Sequence, residues 1–405
     1  MADFGATELE TFRAGAREWL AENFPKSLSG ASPAMEGPEE RSAERDAWKR
    51  AMGEKGWGTP TWPKAYGGGG LSKDEAKLLA QEMNAIGAYN PIGGMGVIMF
   101  GPTLLEYGNE AQKQRHIPPI VKGELRWCQG FSEPGSGSDL ASLSTKATDA
   151  GDHFVVSGSK IWTSGAHLAD WCFCLVRTDP SKKHEGISFL LIDMKSPGVE
   201  PRPILLINGT TPFCETFFTE VKVPKENLVG PLNGGWTIAK RLLQHERQGI
   251  SGAGQLTPGA QAGAVGGPAL EVLAKTYVGV GEDGRLADAD LRTRITQHLM
   301  EARAFQLTGR RATEENRSNS GPSAVSSILK NVGSKVRQDR AELTVEVLGH
   351  QGLGWTGEGF GPDEIMATRT WLRGKSGTIA GGSYEIQNNI ISKRILGLPE
   401  TTQKG

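Results

Sequence analysis

The chain has 405 residues, of which 37% are hydrophobic and 22% charged, a balance that excludes a disordered chain and gives length for two or three domains. Forty-five basic residues against 46 acidic ones leave a net charge of -1, so no global field directs the protein to nucleic acid or an anionic membrane. No apolar run approaches the ~20 residues that span a bilayer.

The N-terminus, MADFGATELETFRAGAREWLAENF, is acidic and amphipathic, unlike a signal or transit peptide, so the chain reads as cytoplasmic. Apolar residues at helical spacing predict helices over 7–22, 39–55, 73–86 and 109–121, separated by Pro- and Gly-rich loops. From about 126 the period changes. HFVVSG, WCFCLVRT, ISFLLIDM, VEPRPILL and CETFFTEVKV read as strands bounded by turn residues, as in a β-sandwich or barrel. From 235 onward helical spacing returns over 236–250, 268–277, 289–315 and 324–349, with a last helix around 383–396. The expected organisation is α+β: a helical domain over 1–125, a β domain over 126–234 and a second helical domain over 235–405. Cys128, Cys172, Cys174 and Cys214 form no CxxC pair, and the seven histidines form no cluster, so a metal site is not expected. Cys172 and Cys174 share one strand face and read as small core residues.

Two polar loops flank the first hairpin of the β region: Phe131-Ser-Glu-Pro-Gly-Ser-Gly-Ser-Asp139 and Lys160-Ile-Trp-Thr-Ser-Gly165. Pro and Gly set the turns and clear side chains, so backbone N–H groups and hydroxyls can approach a ligand. Trp162 adds a flat apolar face. Together they suit a planar heteroaromatic ring with polar edges, such as a flavin. Taken alone, a Gly-Ser-rich loop is more often only a loop, and a Trp beside it core or rim.

The wording of these loops narrows the choice. SEPGSGSD followed by GSKIWTSG resembles the central signature of the acyl-CoA dehydrogenase family, and GGSYEIQNNIISKRILGLP (381–399) resembles its second signature. WPKAYGGGGLS (62–72) and FFTEVKVPKENLVG (217–230) are similar to further family segments, in the same order. The resemblance implies an N-terminal helical domain, a β domain and a C-terminal four-helix bundle, with FAD held non-covalently between the last two. It implies α,β-dehydrogenation of an acyl-CoA thioester in fatty acid β-oxidation, with electrons passed to electron-transferring flavoprotein. A homo-oligomer (dimer or tetramer), or a hetero-oligomer with a related chain, is the implied assembly.

In this family a carboxylate removes the α proton. Many members carry it in the C-terminal loop, where this chain has Gly381. Others carry it on a helix of the C-terminal domain immediately before an Arg, where this chain has Glu246-Arg247. The resemblance therefore implies Glu246 as base, with Arg247 near the substrate and modulating the base, and Gly381 donating its N–H to the thioester carbonyl. An ordinary glutamate at such a place is a solvated helix residue, and Arg247 an ordinary surface partner. Phe131, Ser132 and Ser138 are implied on the flavin, with Ser138 also near the substrate. Trp162 is implied on the ring face, Ser164 near N5, Ser383 and Glu385 where the second signature touches the cofactor, and Gly349 and Gly352 against the FAD of a neighbouring subunit. Glu385 reads equally well as a helix-start carboxylate favoured by the macrodipole. Ser132 and Ser164 stand where many relatives have Thr.

One departure is larger. Relatives grip the adenine end of a neighbouring subunit's FAD with Arg-x-x-Phe-Gly. Here the region reads KTYVGVGEDGRLADADLR, leaving Arg285 as a phosphate contact. Three readings follow: a dehydrogenase; an oxidase or flavin monooxygenase of the same fold; or one subunit of a hetero-oligomer of the type that acts on steroid side-chain thioesters. A helix-borne base leaves room for a branched, long or ring-bearing acyl chain.

Overall fold

The computed structural model describes residues 4–31, 42–250, 269–318 and 325–399. Five helices come first: α1 (Phe4–Asn23), α2 (Ala43–Glu54), α3 (Lys73–Ala85), α4 (Gly101–Tyr107) and α5 (Glu110–Val121). The expected helix over 39–55 extends across residues 39–41, which lie outside the described residues. Ser72 and Glu75 close a capping box on α3, and Asn109 and Gln112 another on α5, which satisfies N–H groups a helix start leaves open. Trp48, Met52, Leu20 and Leu79 fill the core between α1, α2 and α3. Beside that core, Arg13 and Arg17 converge on the buried Glu82, each at 2.8 Å.

Eight strands follow: β1 (Trp127–Gly130), β2 (Lys146–Asp149), β3 (His153–Ser164), β4 (Trp171–Arg177), β5 (Ile187–Asp193), β6 (Val199–Ile204), β7 (Phe213–Pro224) and β8 (Leu228–Val229). They form one sheet in the order β6-β7-β3-β2-β4-β5-β8, with β1 parallel to β4. Alternation along β4 and β5 divides their side chains between two cores. Phe173, Leu175, Phe189 and Leu191 face α4, α5 and the start of the next helix. Cys172, Cys174, Leu190 and Ile192 face Phe154, Val156 and Phe218 of β3 and β7. All four cysteines are buried and free. Gln112 of α5 donates to the carbonyls of Glu226 and Leu228, both at 2.8 Å, which ties the helical layer to the last strand.

The remaining helices are α6 (Gly235–Ile250), α7 (Leu270–Tyr277), α8 (Ala289–Ser318), α9 (Val325–Leu348), α10 (Pro362–Gly374) and α11 (Tyr384–Ile390). By internal contact the chain divides into two compact units. The first runs to Ile204 and resumes over Thr211–His245; the second holds Leu205–Thr210 and everything from Glu246. The division passes through α6. Among the described residues no helix is long and apolar enough to cross a membrane.

Candidate active site

In the first unit both polar loops hang on one buried ion pair. Lys160 lies on β3 and Glu133 in the preceding loop; their charged atoms are 2.7 Å apart and both residues are buried. Glu133 also accepts from the N–H and hydroxyl of Ser144 (2.7 and 2.8 Å) and the N–H of Thr145 (2.9 Å). Lys160 donates a second bond to the Phe131 carbonyl at 3.1 Å. Burial pushes the Glu133 carboxyl up, but the Lys160 charge and these hydrogen bonds outweigh it and hold the group at about 2. The loops also meet directly, the Ile161 N–H donating to the Ser132 carbonyl at 2.8 Å. A tight turn, in which Glu133 and Ser136 exchange two backbone bonds, fixes the tip.

This frame presents the residues expected on the flavin. β3 slips register against β7 between Lys160 and Thr163, a bulge that takes Trp162 out of the ladder. Its φ is +61°, a left-handed conformation costly for a bulky side chain, and the indole is 53% exposed. Thr163 turns inward and donates to the Cys214 carbonyl at 2.8 Å. Phe131 is buried, its ring edge-on to Phe173 and Phe189 at 6.0 and 6.2 Å; it packs the floor of the loop. Ser132 and Ser164 are half-buried and Ser138 exposed, and none of the three hydroxyls has a partner among the described residues. An exposed indole and three uncommitted hydroxyls, carried on two loops that bond to each other, are groups that fit a planar ring with polar edges. Glu133 and Lys160 carried no expectation from sequence. The available signal was a lone lysine in one loop against the two carboxylates, Glu133 and Asp139, of the other.

The second unit carries the rest. Glu246 and Arg247 lie on α6, and their side chains fall outside the described residues. Gly381 and Gly382 occupy the turn before α11 with φ of +68° and +100°. Ser383 caps α11, accepting from the Ile386 N–H at 3.4 Å. Glu385 sits in the first turn of that helix; hydrogen bonds from its own backbone N–H and from Ser383 hold its carboxyl below the ordinary value. Gly349 has φ of +55° and opens a tight turn, Gly349–Leu353, after α9. At Gly352 a Cβ would collide with the Val345 carbonyl, and Thr368 donates to the Gly352 carbonyl at 3.0 Å. Arg285 lines an open cavity of about 520 Å³ with Arg292, Thr293 and Thr296 of α8.

Comparison with known proteins agrees along the chain. The N-terminal domain of acyl-CoA dehydrogenase matches residues 6–124, its middle domain 128–221 and its C-terminal domain 233–396. Acyl-CoA dehydrogenase IpdE1 of Mycobacterium tuberculosis is 36% identical over 400 residues, covering 97% of this chain and 98% of its own. Acyl-CoA dehydrogenase FadE34 of the same organism is 39% identical over 350 residues, 86% of this chain but 46% of FadE34. Among solved structures, the Tcur3481-Tcur3483 steroid ACAD superposes with a TM-score of 0.74 at 28% identity, covering 98% of both chains. The ChsE4-ChsE5 complex of Mycobacterium tuberculosis gives 0.70 at 28% identity, covering 97% of this chain and 98% of its own. The chain belongs to the acyl-CoA dehydrogenase family and is an oxidoreductase of that class.

Proposed function

We propose that the chain takes part in FAD-dependent dehydrogenation of an acyl-CoA thioester to the trans-2-enoyl product, with Glu246 as base and electron-transferring flavoprotein as acceptor. The observation that carries this reading is the backbone of Gly381. Its φ of +68° suits glycine and strains a glutamate, so the loop position used by many relatives is poorly suited to a carboxylate here. That leaves Glu246, on α6 and followed by Arg247, as the base.

Phe131, Ser132, Ser138, Trp162 and Ser164 would hold the isoalloxazine, Ser383 and Glu385 would touch the cofactor further along, and Gly349 and Gly352 would meet the FAD of a neighbouring subunit. Bound FAD would supply the hydride acceptor at the β carbon. Glu246 removes the α proton, a task that needs its pKa raised toward the working pH. The Gly381 N–H donates to the thioester oxygen as enolate charge develops, and a fixed donor is worth most at that stage. Arg247, next in the chain, biases the ionisation of the base, and Ser138 borders the substrate.

A second reading concerns assembly. The likeness to the Tcur3481-Tcur3483 steroid ACAD and to the ChsE4-ChsE5 complex, with the absence of Arg-x-x-Phe-Gly, favours a hetero-oligomer acting on a bulky, ring-bearing acyl group. Arg285 and Arg292 offer cationic charge to a phosphate in place of that motif. Anaerobic titration with straight, branched and steroid side-chain CoA thioesters tests both readings, using the chain alone and with a related chain. Bleaching of the flavin band is the expected result. Flavin-loaded protein that no thioester bleaches would rule the reaction out.

A further inference from the structure

We propose that Gln387 is a positioning residue that aims the Gly381 N–H at the thioester oxygen; this rests on the dehydrogenase reading above. Gln387 lies on α11 and is 1% exposed. Its Nε2 donates to the Gly381 carbonyl at 3.3 Å, while its Oε1 is buried with no partner among the described residues. A buried primary amide with one half unmatched is costly, so its retention calls for a reason beyond packing. The reason lies in the turn it holds. Gly381 and Gly382 both have positive φ, and adjacent glycines leave a peptide free to reorient. Neither of their N–H groups has a partner among the described residues. The bond from Gln387 fixes the plane of the peptide that follows Gly381. That plane constrains the ψ of Gly381 and, through it, the direction of the Gly381 N–H.

The rest of the turn is clamped from α9. Lys330, buried beside the Tyr384 ring, donates to the Thr378 carbonyl at 3.4 Å. Gln338 donates to the Gly374 carbonyl at 2.8 Å, and Asn331 to Asn388 at 2.9 Å. These bonds hold both ends of the segment from 374 to 388. Among the described residues, Gln387 supplies the side-chain bond to the Gly381 carbonyl.

A donor that strengthens its bond as enolate charge grows acts on turnover more than on thioester binding. Gln387→Met keeps the volume and removes the donor. The expected result is a fall in kcat of about tenfold, with KM changed less than about threefold, the loss of one aligned hydrogen bond. Gly382→Ala approaches the same contact from the other side, because its Cβ would stand 2.5 Å from the Gln387 Nε2. If both variants act through one bond, the double variant falls no further than the worse single one. FAD content and the thermal midpoint show which variants are folded, and either folded single variant suffices for the kcat–KM comparison. Unchanged kcat, a rise in KM alone, or fully additive losses would each overturn the assignment. Wild-type protein that no acyl-CoA bleaches would instead remove the dehydrogenase reading, and this assignment with it.

Discussion

At the residue scale, the decisive positions are those where backbone and side chain disagree with ordinary preference. Gly381 is left-handed and lacks the carboxylate of many relatives; Trp162 is left-handed and bulky. Glu246→Gln tests the first. The amide is isosteric but cannot accept the α proton, and loss of a general base is worth ~10²–10⁴ in rate. Turnover is expected to vanish while FAD stays bound; more than about a tenth of the wild-type rate would exclude Glu246 as base. Trp162→Ala tests the second. The side chain is 53% exposed, so its loss costs little packing, and alanine relieves part of the strain of the bulge. The thermal midpoint of FAD-free protein should hold or rise while FAD affinity falls. A weakened fold with unchanged affinity would make Trp162 a structural residue. The motifs name both positions, but not the left-handed backbone that each adopts. Glu133 and Lys160 were not legible, since a one-dimensional pattern does not show that two charges 27 residues apart meet.

At the scale of elements, long periodic segments were legible and short ones were not. The strands β3, β4, β5, β6 and β7 all overlap the expected runs, but β1, β2 and β8 have four, four and two residues, too few for a period. Helices α4 and α10 were missed for a related reason: a Gly-Pro start and a Gly-rich lead-in looked like loop. Nor does sequence alone show that β3 needs its buried pair to hold two loops. Lys160→Met leaves the Glu133 carboxylate buried and uncompensated, at a cost of about 3–5 kcal/mol. Adding Glu133→Gln to it should recover much of that, which chemical denaturation can measure. Acid acts on the same unit twice. Burial, with Arg115 nearby, depresses the pKa of His116 from 6.5 to about 4. A histidine so depressed stabilises the fold above its unfolded value and loses that contribution as pH falls from 6.5 to about 4, worth roughly 3 kcal/mol. Glu133 follows lower down, its contribution present above 4.5 and lost as pH falls toward about 2. Replacing His116 with Gln should flatten the stability curve between pH 6.5 and 4, leaving the lower limb in place. An unchanged slope in that window would show that the imidazole is not kept neutral by burial.

At the scale of the whole molecule, the open question is how many chains complete the enzyme. The loops proposed for the flavin ring are well built in this chain: a buried ion pair, a bulge that leaves an indole exposed, and uncommitted hydroxyls. The adenine side departs from the family, with Arg285 exposed and held 3.7 Å from Asp283 where relatives have Arg-x-x-Phe-Gly. Two guanidinium groups at an open cavity attract a phosphate, but exposed charges are screened by salt and bind weakly without a buried partner surface. These arginines lead to one expectation. Produced alone, the chain should hold less than one FAD per subunit and release it as ionic strength rises. Produced with a related chain, it should form a larger assembly that retains FAD in salt. Light scattering after size exclusion gives the mass, and the ratio of flavin to protein absorbance gives the occupancy. Arg285→Ala with Arg292→Ala should lower occupancy further in the lone chain, since the other described residues lining that cavity are uncharged. If the lone chain carries a full complement of FAD in high salt and turns over unaided, the adenine end is held without a second gene product, and the hetero-oligomer reading falls.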